Sequence, residues 1–177
     1  MSNKLITVIF TLCLLLGLLL AAIMLADEVA NAGGIPHSEI AGMTAGGDGE
    51  LRLEHIGTYA FLFQSLLTLL IVCLCTLGVS PRYRSTAFYG YMALCYGLML
   101  FIWWQMYSGH QQFMQTNEVA YFMGFPTPAA WQMYGTWFGA IPLMLIYTLG
   151  FRKFIYTQAD DEAFQALLSK HKSTTHR

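Results

Sequence analysis

Two histidines and two methionines are the residues of this sequence best suited to binding a cofactor. His55 opens the second long apolar segment of the chain, and His110 follows the third. Met106, His110 and Met114 are four residues apart, so they share one face if the third helix continues through them. Imidazole and thioether groups suit copper, and two histidines could ligate haem. We favour interfacial histidines and gap-filling methionines, so no cofactor is predicted, with haem or copper as the alternative.

No other pattern in the sequence indicates enzyme chemistry. The sequence contains no Gly-rich phosphate loop, no HExxH zinc motif and no nucleophile elbow. Its long apolar segments contain no Asp, Glu, Lys or Arg, whereas intramembrane charges usually mark an ion or proton path. We therefore predict that the chain is not an enzyme, and that it does not act alone as a pump, channel or transporter.

Composition and segment length indicate an integral membrane protein. Of the 177 residues, 56% are hydrophobic and 11% are charged, against about 25% charged in ordinary soluble domains. Four apolar segments, about 5–26, 56–78, 86–107 and 129–151, are near the roughly 20 residues that a transmembrane helix needs. The fold class predicted is all-α, a four-helix transmembrane bundle over residues 1–156, followed by a cytoplasmic amphipathic tail over 157–177.

The first apolar segment has a second interpretation as a cleaved signal peptide. Ala30-Asn31-Ala32-Gly33 resembles an A-x-A cleavage site. The apolar core is about 22 residues, however, whereas a signal peptide usually has 7–15. We therefore expect an uncleaved helix.

Basic residues predict the orientation of the chain. With the N-terminus inside, eight of the nine Lys and Arg residues lie inside, and only Arg52 lies outside. Trp103, Trp104 and Tyr107 then mark the outer end of the third helix, as expected of an aromatic belt. We predict a multi-pass protein of the bacterial inner membrane with both termini cytoplasmic.

The C-terminal tail has the pattern of a short amphipathic helix. Thr157 can cap it, and acidic residues follow in the first turn. One face is apolar, formed by Ala163, Phe164, Leu167 and Leu168. This face could lie on the membrane or dock on a partner.

Uncharged polar residues and glycines within the segments indicate helix packing. Polar residues in lipid seek partners, so these are expected to face other helices: Gln64, Ser65, Thr68, Gln105, Gln132 and Thr136. A quinone or substrate site is the alternative for them. Gly135 and Gly139 form a GxxxG motif that permits close packing, and Pro142 is expected to kink the fourth helix.

The C-terminal quarter also resembles a known group of proteins. The stretches are GFPTPAAWQMYGTW (124–137), YTLGFR (147–152) and DDEAF (160–164). They are similar to small bacterial membrane proteins that accompany sodium:solute symporters as accessory subunits. The resemblance implies a membrane partner, and it carries over no functional residue.

These patterns together predict a non-catalytic accessory or assembly subunit of a larger membrane complex, with a solute transporter preferred. The alternative is a small subunit of a respiratory or redox complex that contributes to a haem, copper or quinone site. The expected partners are the lipid bilayer and larger membrane subunits. A net charge of −1 gives no reason to expect a nucleic acid.

Overall fold

The computed structural model describes residues 2–27, 34–45 and 54–175. Three long helices dominate it: α1 (Ser2–Met24), α2 (Gly57–Gly78) and α3 (Thr86–Thr116). All three are long and apolar enough to cross a membrane. The proposed cleavage site at 30–33 and Arg52 lie outside the described residues.

Helix α3 is longer than the apolar segment that predicted it. The sequence after Tyr107 turns polar, so hydropathy predicts an end there, but the helix continues to Thr116. Asn117 then ends it in the left-handed conformation (φ 54°), and its N–H bonds to the carbonyl of Phe113. The face shared by Met106, His110 and Met114 therefore exists.

The fourth apolar segment forms three consecutive helical pieces. These are α4 (Thr127–Ala130), a π-helical turn (Trp131–Gly135) and α5 (Thr136–Thr148). The residues at both junctions keep helical dihedral angles, so we call Thr127–Thr148 the fourth helical segment. It continues through Pro142, and a short helix, α6 (Phe151–Phe154), follows.

Each long helical element packs mainly on its neighbour in the sequence. Helix α1 lies on α2, α2 on α3, and α3 on the fourth helical segment. We call the end where α2 and the fourth segment begin the upper end, and the opposite end the lower end. The buried core is at the lower end, where the rings of Phe88 and Phe154 are 5.3 Å apart. In α1, by contrast, only Leu12 and Leu16 are buried among the residues whose burial is described.

Short connections complete the structure. The turn between α2 and α3 contains a 3₁₀ helix, Pro81–Tyr83, and Ser85 caps α3 by accepting a hydrogen bond from the N–H of Phe88. Two small antiparallel hairpins are present: β1 (Ile35–Pro36) with β2 (Thr44–Ala45), and β3 (Tyr121–Phe122) with β4 (Phe125–Pro126).

The tail helix, α7 (Gln158–Thr175), begins where the sequence predicts. At its start the N–H of Thr157 donates to Asp160 Oδ2 at 2.9 Å, which is one half of a capping box, while the Asp160 N–H bonds to the Thr157 carbonyl. Phe164, Leu167 and Leu168 of the predicted apolar face are exposed.

Candidate functional site

A cavity of about 390 Å³ lies at the upper end, between α2, α3 and the fourth helical segment. Three of its walls are aromatic: Phe61, Trp103 and Tyr107. The rings of Phe61 and Tyr107 stack with centroids 4.8 Å apart. The Tyr107 hydroxyl also lies 3.0 Å from Thr58 Oγ1, which ties α2 to α3. Ring stacking and this hydrogen bond therefore hold the aromatic side of the cavity in place.

Four polar side chains line the same cavity. Among the residues that the structure describes, no acceptor is within hydrogen-bond distance of the buried indole Nε1 of Trp103. Within the same ranges, the side chains of Gln64, Gln132 and His110 make no hydrogen bond either. A buried donor without a partner costs about 1–3 kcal/mol. The Trp103 N–H is thus shielded from the cavity as well, whereas Gln64, Gln132 and His110 line it with polar groups that are unpaired within the described residues.

The π-helical turn contributes Gln132 to this cavity. The N–H of Thr136 bonds to the carbonyl of Trp131, five residues earlier rather than four. Such a turn shifts the side chains before it relative to those after it, and π turns are frequent at functional sites. The hydroxyl of Thr136 bonds to the carbonyl of Gln132. Ala129, which precedes the turn, also lines the cavity.

The structure brings together only some of the predicted ligand residues. Met106 and His110 both line the cavity. His55 is exposed and is not part of the lining, although Ile56 beside it is. Met114 shares the helix face of His110 but lies outside the cavity. One imidazole and one thioether therefore converge, rather than the pair of histidines.

Ser65 and Thr68, two of the polar residues expected to face other helices, are buried, and their hydroxyls bond within their own helix. The Ser65 hydroxyl donates to the carbonyl of Phe61 at 2.8 Å, and the Thr68 hydroxyl to that of Gln64 at 2.9 Å. Hydroxyl groups in helices commonly return to the carbonyl one turn earlier.

The glycine motif faces α3 of the same chain. A Cβ atom on Gly139 would lie 2.5 Å from Ile102 Cδ1 and 2.6 Å from Met99 Sδ. A Cβ on Gly135 would lie 3.0 Å from Ile102 Cγ2. Both glycines are buried. A larger residue at either position would have to displace neighbouring side chains, above all those of Ile102 and Met99.

A second, larger groove runs along the other side of this contact. It encloses about 710 Å³, and Gly135 and Gly139 are among its lining residues. Apolar side chains of α3, the β3–β4 hairpin and the fourth helical segment form most of its surface: Leu98, Phe101, Ile102, Phe122, Trp131 and Phe138. Phe122 packs edge-on against Tyr134, with ring centroids 6.2 Å apart, so the hairpin covers one end of the groove.

Sequence reasoning assigned Trp103 to the aromatic belt and missed its place in the cavity wall. A signal for that place exists in the spacing. Trp103, Tyr107 and His110 follow each other at intervals of four and three residues, which puts them on one helix face. Trp104, one residue on, is half exposed. The spacing thus shows which of the two adjacent tryptophans shares a helix face with Tyr107 and His110, which amino-acid composition alone does not show.

No group of three or more His, Cys, Asp or Glu residues in the described part of the chain could hold a metal ion. Comparison with family models, with curated proteins and with solved structures finds no match to this chain. Function is therefore inferred from the residues of this chain and their geometry.

Proposed function

We propose that this chain is a non-catalytic accessory subunit of a larger membrane complex, with a solute transporter as the preferred partner. In this proposal the fourth helical segment is a fourth span, and both termini are cytoplasmic in the bacterial inner membrane. The three pieces of the fourth helical segment, of four, five and thirteen residues, follow each other without a break. At 1.5 Å per residue, their combined length matches about 30 Å of hydrocarbon.

The charges at the lower end support this orientation. Arg82 and Arg84 follow α2, and Arg152 and Lys153 follow the fourth helical segment. All four are at the lower end, which the positive-inside rule places in the cytoplasm.

The observation that carries the proposal is the apolar groove between α3 and the fourth helical segment. Helices associate in membranes by close packing, because lipid gives no hydrophobic force that drives them together. A groove of about 710 Å³ with glycines in its floor can receive side chains of a partner helix. Phe138, on its rim, is 68% exposed and would pack against that partner.

Chemical crosslinking in cells, gentle detergent extraction of the tagged chain and mass spectrometry test this proposal. We expect one multi-span transporter to be recovered in a fixed ratio. Leu98→Trp should fill the groove and reduce recovery at least about tenfold, as loss of a packed contact worth a few kcal/mol would. Leu94→Trp, on the same helix at an exposed position outside the groove, is the matched control. Equal recovery with both variants would contradict docking at this groove.

The cavity at the upper end favours a second candidate function, a small subunit of a respiratory or redox complex. Its unpaired donors and aromatic walls fit the description of a ligand pocket, mostly apolar with a few polar groups. Were His110 a ligand of haem or copper, the purified protein would carry haem absorbance or stoichiometric copper, and His110→Ala would remove it. His55→Ala is the control, because His55 lies outside the cavity.

A further inference from the structure

We propose that the cavity formed by Phe61, Trp103 and Tyr107 binds the ring of a lipid-soluble quinone. The inference deepens the second candidate function and rests on it for the ligand's role. It concerns binding alone, through hydrogen bonds and ring contacts. Its first support is that the side-chain carboxamides of Gln64 and Gln132 line the cavity and have no hydrogen-bond partner among the described residues.

The polar groups of the cavity require a ligand with acceptor atoms at more than one place. The carboxamides of Gln64 and Gln132 come from α2 and from the π turn, so they approach from different elements. Each amide has two N–H donors, and neither amide is engaged within the described ranges. A ring with two carbonyl oxygens can accept from both carboxamides at once.

The remaining lining requires that ligand to be flat and uncharged. It includes no Asp, Glu, Lys or Arg, so no charge is available to balance a charged ligand. Phe61, Trp103 and Tyr107 give the cavity aromatic walls that a planar ring can contact. About 390 Å³ is at the small end of ligand pockets, so it suits a ring better than a whole lipid.

The position of the cavity allows entry from the bilayer. Gln64 is seven residues into α2, which corresponds to about 10 Å at 1.5 Å per residue. Trp103 lies in α3 within the apolar stretch that predicts a span. A quinone ring is delivered to this depth by its own tail, which stays in the lipid.

Equilibrium binding of a benzoquinone carrying a ten-carbon alkyl chain to the purified full chain in detergent tests the inference. The matched competitor is an alkylbenzene with the same chain and no oxygen atoms. We expect saturable binding of the quinone and no competition by the alkylbenzene. Gln64→Leu keeps the volume of the side chain but removes its donors, and it should weaken binding about tenfold. Gln115→Leu is the control, because Gln115 lies on α3, is exposed and does not line the cavity.

Gln132→Leu keeps the test decisive if Gln64→Leu does not fold, since Gln132 is exposed and its replacement should be tolerated. Absence of binding, equal competition by the alkylbenzene, or unchanged affinity in both cavity variants would overturn the inference. Any of these results would leave the accessory-subunit proposal standing. Conversely, a chain that binds the quinone but co-purifies with a transporter would count against the redox-complex function alone.

Discussion

Gly139 determines how closely α3 and the fourth helical segment approach each other. Ile102 and Met99 of α3 occupy the space that a Cβ atom on this residue would need. The next residue, Ala140, is exposed. Gly139 therefore faces α3 and has little room for a side chain, whereas the adjacent Ala140 faces away from this contact and has room for a larger one.

We predict that Gly139→Leu destabilises the protein by about 1–3 kcal/mol, the usual cost of overpacking a filled site. Ala140→Leu adds a similar volume on the exposed side and should change stability by less than about 0.5 kcal/mol. Thermal unfolding of both variants in the same detergent measures the difference. Equal melting temperatures would show that the contact with Ile102 and Met99 does not restrict this position.

Local spacing made some of these residues predictable and left others hidden. Gly135 and Gly139 could be singled out because a four-residue interval of small residues is visible in the sequence. The place of Trp103 in the cavity wall was not predicted, because the cavity exists only where α2 and the fourth helical segment lie beside α3. That position is a matter of packing between helices, which no single segment encodes.

Polar contacts of Asp160 attach the tail helix α7 to the turn between α2 and α3. Asp160 Oδ2 accepts hydrogen bonds from the Tyr83 hydroxyl at 2.7 Å and from the Thr157 hydroxyl at 2.9 Å. Asp160 Oδ1 pairs with Arg82, whose side chain is 63% exposed, so the ion pair itself contributes little. The hydrogen bond from Tyr83 therefore carries most of the attachment of Asp160 to the turn between α2 and α3, while the bond from Thr157 stabilises the start of α7 itself.

We predict that Asp160→Ala loosens the start of α7 by about 1–2 kcal/mol, from the loss of hydrogen bonds worth about 1 kcal/mol each. Trypsin cleavage after Lys153 should then become roughly tenfold faster, since local opening exposes the backbone. Asp161→Ala is the control, because within the described residues Asp161 pairs with Arg152 at 3.9 Å and accepts from the Tyr156 hydroxyl at 3.1 Å, but it does not bond to the turn between α2 and α3. Equal cleavage rates would mean that the anchor lies elsewhere in the tail.

Element boundaries were predictable where hydropathy and helix formation end together. The start of α3 and both ends of α2 meet that condition, and the predicted limits agree with the structure to within one residue. They differ at the upper end of α3, where a polar sequence keeps its helical conformation to Thr116. The π turn at 131–135 was not predicted, because one altered hydrogen bond leaves no trace in composition.

Across the whole molecule, the elements pack in chain order, and α1 has the fewest buried side chains of the three long helices. Leu12 and Leu16 are its buried residues within the described part. Such exposure of Leu and Ile is costly in water, at about 25 cal/mol per Å² of apolar surface, but costs nothing against lipid tails. The surface of α1 is thus explained by a bilayer.

Our last prediction is that the chain crosses the bilayer four times with both ends in the cytoplasm. Reporter fusions after Thr175 and within the Gly46–Gly47 loop should report opposite sides. A fusion at Met123, in the turn between β3 and β4, should agree with the Gly46–Gly47 fusion, because both connections follow an odd number of spans. The physical reason is that Arg82, Arg84, Arg152 and Lys153 resist translocation.

The Met123 fusion also decides whether the fourth helical segment spans the membrane. If that segment does not cross, Met123 and Thr175 will report the same side, and the π turn and Pro142 then lie in a helix that only enters the bilayer. If all three crossings upstream are correct but reversed, the Gly46–Gly47 and Met123 fusions will both report the cytoplasm.

Replacing Arg82 and Arg84 by Glu offers a further check, because it removes two basic residues from the turn between α2 and α3. A fusion at Thr175 that then reports a mixture of sides would show that these charges direct insertion. An unchanged result would assign that role to the basic residues after the fourth segment.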